Sequence, residues 1–269
     1  MKFLPSAAVS LMVLCGCATR PSDGITQVAT IDALLAGVYD GHMPLAELLR
    51  HGDLGIGTFE GLDGEMVVLD GVIHQVRSDG KVYRPDPAGR TPFASVTRFR
   101  ADRREDVTAP MDFAALQARV DARVPAENRF VAIRLRGEFK AVRTRSVPAQ
   151  RKPYPPLAEV AKTQPVFNLV RVRGTLLGFR SPPFVKGVNV PGYHLHFLAD
   201  DLSGGGHVLG FELDRGVLEI DETHAWLHVE LPAPGSPFDA ANLREDRSVE
   251  LHRVEKQVAP AGPTGAPPR

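Results

Sequence analysis

The hydrophobic positions in the first third of the chain follow a helical period and then a period of two. The stretches IDALLAGVYDG and MPLAELLRHG have helical spacing, with Thr30 as a cap for the first and Gly52 just past the second. In LGIGTFEGLDGEMVVLDGVIHQVRSDGKVYRP the apolar residues alternate instead. Three Asp-Gly pairs, at 63–64, 70–71 and 79–80, separate its short β-type runs. This predicts a meander of tight hairpins in which both turn residues have positive φ.

The middle of the chain repeats this change of period. PMDFAALQARVDARV has apolar residues at Phe113, Leu116, Val120 and Val124, a spacing that predicts a helix. RFVAIRLRGEFKAVRTRSV returns to alternation, and Gly137 marks a bend between two predicted strands.

A proline-rich stretch, VPAQRKPYPPLAEVAKTQP, leads to a second set of predicted strands, from Val166 to about Leu231. Alternating strands with few helices predict a β-rich α+β protein, whose sheets are mixed or antiparallel. We expect two β-rich subdomains, residues 28–150 and 151–257.

The first 17 residues, MKFLPSAAVSLMVLCGC, have the plan of a secretory signal: a basic residue, a short apolar core, then small residues. The core is too short for a permanent membrane span. Leu14-Cys15-Gly16-Cys17 also resembles a bacterial lipoprotein box, in which lipidated Cys17 would attach the protein to a membrane. The alternative is an ordinary cleaved signal. Both predict export, to the periplasm or as a membrane-anchored lipoprotein of a bacterium.

Two further segments lie outside the predicted subdomains. Residues 18–27 are polar and are predicted to form a linker. Residues 258–269 are rich in proline, glycine and alanine, which predicts a disordered tail.

Composition limits the chemistry available to the chain. It has 269 residues, 43% of them hydrophobic, which is enough for a large core. Lysine plus arginine equals aspartate plus glutamate at 32 each, so no overall charge favours binding to nucleic acid. Both cysteines, Cys15 and Cys17, lie in the predicted signal. A metal site in the mature protein must therefore use His, Asp, Glu and water.

Three histidines lie in GYHLHFLADDLSGGGHVLGFEL, residues 192–213. His194 and His196 share one face of a strand, and the glycines before His207 allow the chain to turn back as a hairpin. Three imidazoles with an open position suit a catalytic zinc ion. The alternative is chance alternation on a half-solvated strand. His224 and His228, four residues apart on an extended chain, are less able to share an ion, and we interpret them as surface residues or neighbours of the site.

Two other stretches carry charged candidates. Arg143 and Arg145, two residues apart, could present a guanidinium to a carboxylate, or could belong to a solvated edge strand. Glu65 directly follows the turn at 63–64, where a surface carboxylate is the alternative.

Four stretches together resemble the α-acetolactate decarboxylase family. They are GDLGIGTFEGLDGEMVVLDG, VRTRSVPAQRKPYPPL, KGVNVPGYHLHFLADDLSGGGHVLGFEL and LHRVEK, in the order that the family has them, and the similarity runs from about residue 28 to about 256. The resemblance implies a carboxy-lyase that converts 2-acetolactate into acetoin and carbon dioxide. It also implies a homodimer of two-sheet subunits, with Zn²⁺ bound on the C-terminal sheet.

The resemblance also implies roles for individual residues. Three residues take the zinc-ligand places: His194, His196 and His207. Arg145 takes the place of the active-site arginine, and Glu65 that of an active-site glutamate, with Thr58 beside it. The second functional glutamate falls at Glu255, with Glu250 as the alternative.

These residues suit the implied reaction. Zinc chelated by the keto and hydroxyl oxygens of the substrate stabilises an enediolate as carbon dioxide leaves, and Arg145 holds a substrate oxygen. Either Glu65 or Glu255 then protonates one face of the enediolate, which fixes the stereochemistry of acetoin. Two rival hypotheses are an exported metal-binding lipoprotein without turnover, and a metalloenzyme acting on another small hydroxy-keto acid.

Overall fold

Two β-sheets that share a hydrophobic core organise the chain, and short helices lie at their margins. The computed structural model describes residues 24–222 and 225–256. The predicted signal with Cys17, His224 and the predicted tail at 258–269 lie outside the described residues. Within that part of the chain, no helix is both long enough and apolar enough to cross a membrane.

The first sheet has seven strands: β1 (Gly24–Val28), β3 (Leu54–Thr58), β4 (Glu65–Leu69), β5 (Val72–Val76), β6 (Val82–Tyr83), β8 (Ala94–Thr97) and β15 (Trp226–Glu230). Their order is β15-β1-β8-β3-β4-β5-β6. The pair of β1 and β15 is parallel, and the other pairs are antiparallel. Because β1 is fully buried from Gly24 on, the prediction of a linker over 18–27 is wrong for its last four residues.

The second sheet has six strands: β9 (Arg103–Val107), β10 (Met111–Asp112), β11 (Val131–Arg145), β12 (Val166–Ser181), β13 (Gly192–Ala199) and β14 (Gly205–Asp221). Their order is β10-β14-β11-β12-β13, and β9 also pairs with β14. The start of β14 pairs in addition with β13. Strands β14, β11, β12 and β13 therefore close into a ring.

The helices are short: α1 (Ile31–Leu35), α2 (Leu45–His51), α3 (Phe113–Arg123), α4 (Leu157–Ala161), α5 (Pro237–Ala240) and α6 (Ser248–Lys256). Two single-turn 3₁₀ helices, Glu60–Leu62 and Pro183–Val185, and a two-stranded pair of β2 (Met43–Pro44) with β7 (Arg90–Thr91) complete the fold. The prediction of α1 is confirmed with its cap, because the Thr30 side chain accepts a hydrogen bond from the Ala33 amide.

The Asp-Gly turns differ from one another. Asp70 and Gly71 both have positive φ, at 50° and 76°, as predicted for a two-residue hairpin. Gly64 and Gly80 also have positive φ, but Asp63 and Asp79 do not. The prediction that both residues of each Asp-Gly turn have positive φ is therefore wrong at 63–64 and 79–80. At the last turn the Asp79 carboxylate accepts a hydrogen bond from the Lys81 amide, which provides an alternative turn geometry.

Strand β11 is longer than predicted, and it belongs to the second sheet although it precedes the predicted subdomain boundary at residue 150. Gly137 does not separate two strands, because it pairs with Gly174 on one side and Gly216 on the other. Strands β9, β10 and β11 precede residue 150 yet belong to the second sheet, and β15 follows it yet belongs to the first. The two sheets therefore do not divide at 150.

Apolar side chains from both sheets form the core that joins them. Ile25, Ile56 and Val67 of the first sheet pack in one cluster with Leu177 and Leu198 of the second. The burial of these side chains fixes the distance between β4 and β13, which each carry candidate site residues.

An ion-pair network also links the sheets. Glu219 of β14 accepts hydrogen bonds from Arg134 Nε at 2.7 Å and from Arg104 Nη1 at 2.9 Å. Arg134 and Arg136 pair in turn with Asp70, in the turn between β4 and β5. Burial alone would raise the pKa of Glu219, but the hydrogen bond from Arg134 and the attraction of both arginines outweigh it and lower that pKa.

Glu219→Gln is expected to lower the free energy of unfolding at pH 7 by about 1–3 kcal/mol, because it removes the buried carboxylate that pairs with both Arg134 and Arg104. The folded-state pKa of Glu219 is below its ordinary value of 4.5. The contribution of Glu219 to the free energy of unfolding is therefore fully present above pH 4.5, and it is lost as the pH falls through the lowered folded-state pKa. Urea unfolding of both proteins from pH 7 to pH 3 checks this.

Glu212→Gln is the matched control, because Glu212 lies on the same strand but forms an exposed pair with Lys140. We expect it to change the free energy of unfolding by less than about 1 kcal/mol. Equal effects of the two substitutions, or a Glu219→Gln effect that does not shrink at low pH, would contradict the prediction.

Candidate active site

Three histidines converge where β13 and β14 meet. The predicted hairpin is present, and His196 lies directly opposite His207 in its register. His194 lies two residues before His196, on the same face of β13. One ligand nitrogen from each of the three rings lies within 4.8 Å of the others. The cluster is therefore formed by local strand geometry.

A backbone contact orients the His196 ring. Its Nδ1 atom lies 2.8 Å from the carbonyl oxygen of Met66, on β4 of the first sheet. Because a carbonyl only accepts, Nδ1 carries the proton and Nε2 offers a lone pair to the cavity. That Nε2 atom is buried and makes no hydrogen bond within the described residues. It could therefore coordinate a metal ion together with the nitrogen atoms of the other two histidines.

Burial keeps the three imidazoles neutral. Loss of solvation, followed by the charge of Arg145, lowers the pKa of His194 to about 3. Burial likewise lowers the pKa values of His196 and His207 well below the ordinary value. A metal ion requires neutral imidazole nitrogens, so the cluster is in the ligand form at neutral pH.

Arg145 lies beside the histidines because of strand register. It is the last residue of β11 and pairs with His207 of β14. Its guanidinium is buried, with Nη1 3.8 Å from Glu65 Oε1 and Nη2 3.6 Å from Glu255 Oε1. Arg143 does not line the cavity that contains Arg145.

Glu65 is positioned by the turn before β4. Gly64 has φ of 87°, and a Cβ atom there would lie 2.3 Å from the Val76 carbonyl oxygen, so the turn requires glycine. Glu65 pairs with Thr58 across β3 and β4, and Thr58 Oγ1 donates a hydrogen bond to the Gly64 carbonyl at 2.7 Å. Glu65 Oε2 reaches to 3.5 Å from His196 Nε2.

Burial raises the pKa of Glu65 to about 7. The positive charge of Arg145 opposes this shift, and the nearby Glu255 carboxylate adds to it. Near neutral pH the Glu65 carboxyl group can therefore hold or release a proton, as general acid or base work requires.

Glu255 closes the cavity from α6. Its Oε2 atom lies 3.7 Å from both His194 Nε2 and His207 Nε2. Burial raises its pKa, against the effect of Arg145. Glu250, the alternative, does not line the cavity and pairs with Arg247 at 2.9 Å. Of the two glutamates, the structure thus brings Glu255 to the histidines.

All seven predicted site residues line one cavity of about 40 Å³. Its remaining walls are mostly apolar: Ile31, Leu34, Leu62, Phe93, Val147, Leu157 and Val254. Sequence reasoning missed these walls, because they come from α1, α4, α6 and connecting loops that share no spacing. It also missed Gln164, which contacts Arg145 from a proline-rich stretch without a motif. His228 lies elsewhere, half-exposed on β15 and 3.1 Å from Glu230.

The chain is similar to known proteins over most of its length. The sequence profile of the alpha-acetolactate decarboxylase family matches residues 25–245, which ends before α6. The alpha-acetolactate decarboxylase of Methanosarcina mazei is 48% identical over 87% of this chain and 81% of its own length. That of Methylococcus capsulatus is 47% identical over 86% of this chain and 88% of its own.

A solved structure has the same fold. The crystal structure of alpha-acetolactate decarboxylase from Bacillus subtilis strain 168 superposes with a TM-score of 0.83 at 39% identity, covering 87% of this chain and 100% of that one. On the family match, these identities and this superposition, the chain belongs to the alpha-acetolactate decarboxylase family.

Proposed function

We propose that this protein decarboxylates 2-acetolactate to acetoin and carbon dioxide, with a zinc ion held by His194, His196 and His207. One observation carries the proposal beyond family membership. Three neutral imidazoles, a guanidinium and two carboxyl groups meet in one small cavity with apolar walls. Buried titratable groups with shifted pKa values that share a small cavity are typical of functional sites, and this supports the proposal.

The donor set fits a metal ion. The Nε2 atom of His196 is buried without a hydrogen bond in the described part of the chain, and the three rings are held neutral by burial. Three nitrogen ligands with carboxylates nearby are typical of a catalytic zinc site. When bound, the ion supplies Lewis-acid stabilisation of the negative charge that develops on the substrate oxygens.

Arg145 acts on the same developing charge. In 2-acetolactate the bond between the carbinol carbon and the carboxylate breaks, and its electron pair moves toward the adjacent ketone oxygen. The Glu65 and Glu255 oxygens lie 3.8 and 3.6 Å from the Arg145 guanidinium, beyond close hydrogen-bond distance. The guanidinium therefore keeps donors available for a substrate oxygen, and its charge persists at every working pH.

Glu65 is the proton donor that we propose. The carbinol carbon must receive a proton on one face to give a single enantiomer of acetoin. Glu65 lies on β4, which is paired on both sides, so its carboxyl group is held on a rigid element. Burial raises its pKa, which favours the protonated form that a proton donor needs.

Thr58 and the apolar walls complete the site. The Thr58 hydroxyl fixes the turn that precedes Glu65, through its bond to the Gly64 carbonyl. The apolar side chains exclude water and leave room for small groups such as the methyls of acetolactate. Export, lipid attachment through Cys17 and homodimer formation stay predictions from the sequence.

His194→Ala, or removal of metal with a chelator, is expected to abolish acetoin formation from 2-acetolactate and to lower bound metal below one ion per chain. The reason is that two remaining imidazoles cannot hold the ion in place. Metal analysis and a colour assay for acetoin, with and without added zinc, check both outcomes.

His228→Ala is the control, because His228 is a half-exposed histidine in the other sheet. It should leave metal content and activity unchanged. Full activity of a metal-free preparation would refute the zinc mechanism. Bound metal without carbon dioxide release from acetolactate would favour a binding protein, and turnover of a different 2-hydroxy-3-oxo acid would favour another substrate.

Arg145→Lys is expected to lower kcat by about 100- to 1,000-fold, because an ammonium cannot reproduce the two-pronged donor set of a guanidinium. Metal content should remain at the wild-type level. Steady-state kinetics with 2-acetolactate checks this, and near wild-type values would remove Arg145 from the proposed mechanism.

Glu65→Gln is expected to lower the enantiomeric purity of the acetoin, because solvent then protonates both faces. Glu255→Gln is the matched variant, and we expect slower turnover with unchanged enantiomeric purity. Chiral gas chromatography of the product, after subtraction of acetoin formed without enzyme, separates the two. The reverse pattern would assign proton delivery to Glu255.

A further inference from the structure

The buried guanidinium of Arg145 has a neutral partner outside the cavity. Arg145 Nη1 donates a hydrogen bond to Gln164 Oε1 at 2.8 Å, and both side chains are buried. Gln164 follows α4 and lies two residues before Val166, which pairs with Arg145 across β11 and β12. Gln164 is not among the residues that line the cavity.

This contact differs from the other contacts of Arg145. The carboxylate oxygens of Glu65 and Glu255 are 3.8 and 3.6 Å away, so they attract the guanidinium without fixing its plane. The Nε atom of Arg145 is buried and makes no hydrogen bond within residues 24–222 and 225–256. The bond to Gln164 is therefore the short, directional contact that selects one orientation of a side chain with several rotatable bonds.

The neutrality of the acceptor has a consequence for the charge in the cavity. A carboxylate at position 164 would orient the guanidinium equally well but would cancel part of its field. An amide oxygen uses one N–H group and leaves the full positive charge for a substrate oxygen.

We propose that Gln164 is a positioning residue for Arg145: it fixes the plane of the guanidinium while leaving its charge to the reaction. The proposal rests on the proposed decarboxylation, in which Arg145 stabilises developing negative charge. Loss of the contact would leave Arg145 present but free to rotate, and a misplacement of about 1 Å at a catalytic group can cost about 100-fold in rate.

Gln164→Met tests this, because methionine has a similar length and no strong acceptor. We expect kcat and kcat/KM for 2-acetolactate to fall by the same factor, about 10- to 100-fold, as is typical when a contact made in the transition state is lost. Metal content should stay at the wild-type level, whereas the unfolding midpoint should fall by a few degrees because the buried Arg145 Nη1 loses its acceptor. Thr163→Val is the control, since it removes a neighbouring hydroxyl that bonds to the Val160 carbonyl, and it should leave kinetics unchanged.

A double-mutant cycle with Arg145→Lys separates positioning from general damage to the loop. A lysine has no guanidinium plane for Gln164 to fix, so adding Gln164→Met to Arg145→Lys should lower kcat by less than about threefold further. Gln164→Glu keeps an acceptor of the same length, and it should restore guanidinium order but not the full rate. The proposal would be overturned if the two substitutions lowered kcat by independent factors that multiply in the double variant. It would also be overturned if kcat of Gln164→Met were within twofold of the wild-type value.

An NMR measurement makes the test independent of turnover. The Nε–H signal of Arg145, assigned by its absence in Arg145→Lys, should be sharp in the wild-type protein and broadened in Gln164→Met. If the wild-type protein forms no acetoin but this pattern holds, the proposed function fails while the positioning contact stands. An equally sharp signal in Gln164→Met would reject the positioning role whatever the activity.

Discussion

The double pairing of β14 is the constraint on which the site depends. Its first residues pair with β13, and from His207 onward it pairs with β11, so that His207 faces His196 on one neighbour and Arg145 on the other. Side chains alternate between faces along a strand, and a slip of one residue would turn His207 away from both. Three functional groups on three strands are thus brought together by backbone hydrogen bonds rather than by contacts with one another.

The surrounding sheet makes this concentration of polar groups chemically useful. Burial lowers the pKa values of the histidines and raises that of Glu65 to about 7, while Arg145 remains charged between them. In water these groups would titrate at their ordinary values and would attract substrate weakly. Removal from solvent separates their protonation states, so that one small cavity holds neutral imidazoles, a carboxyl group with a raised pKa and a fixed cation at one pH.

Local patterns in the sequence predicted a part of this arrangement. The alternation around His194 and His196 and the glycines before His207 were enough for the hairpin, because a hairpin is decided by neighbours in the chain. Spacing alone could not bring Glu255 to the histidines, since helix α6 reaches them through long-range packing; the family resemblance supplied that residue. Nothing local marks Gln164, whose contact with Arg145 depends on how β12 pairs with β11.

The parallel pairing of β1 with β15 has a consequence for folding. The first strand of the first sheet acquires that neighbour only after the whole second sheet has been synthesised, because about 200 residues separate Gly24 from Trp226. During synthesis one edge of β1 stays unpaired, and an unpaired strand edge is a site of aggregation. The first sheet is completed by β15, which follows all strands of the second sheet in the chain. The two sheets therefore cannot fold independently, and we expect folding of this chain to be cooperative and slow.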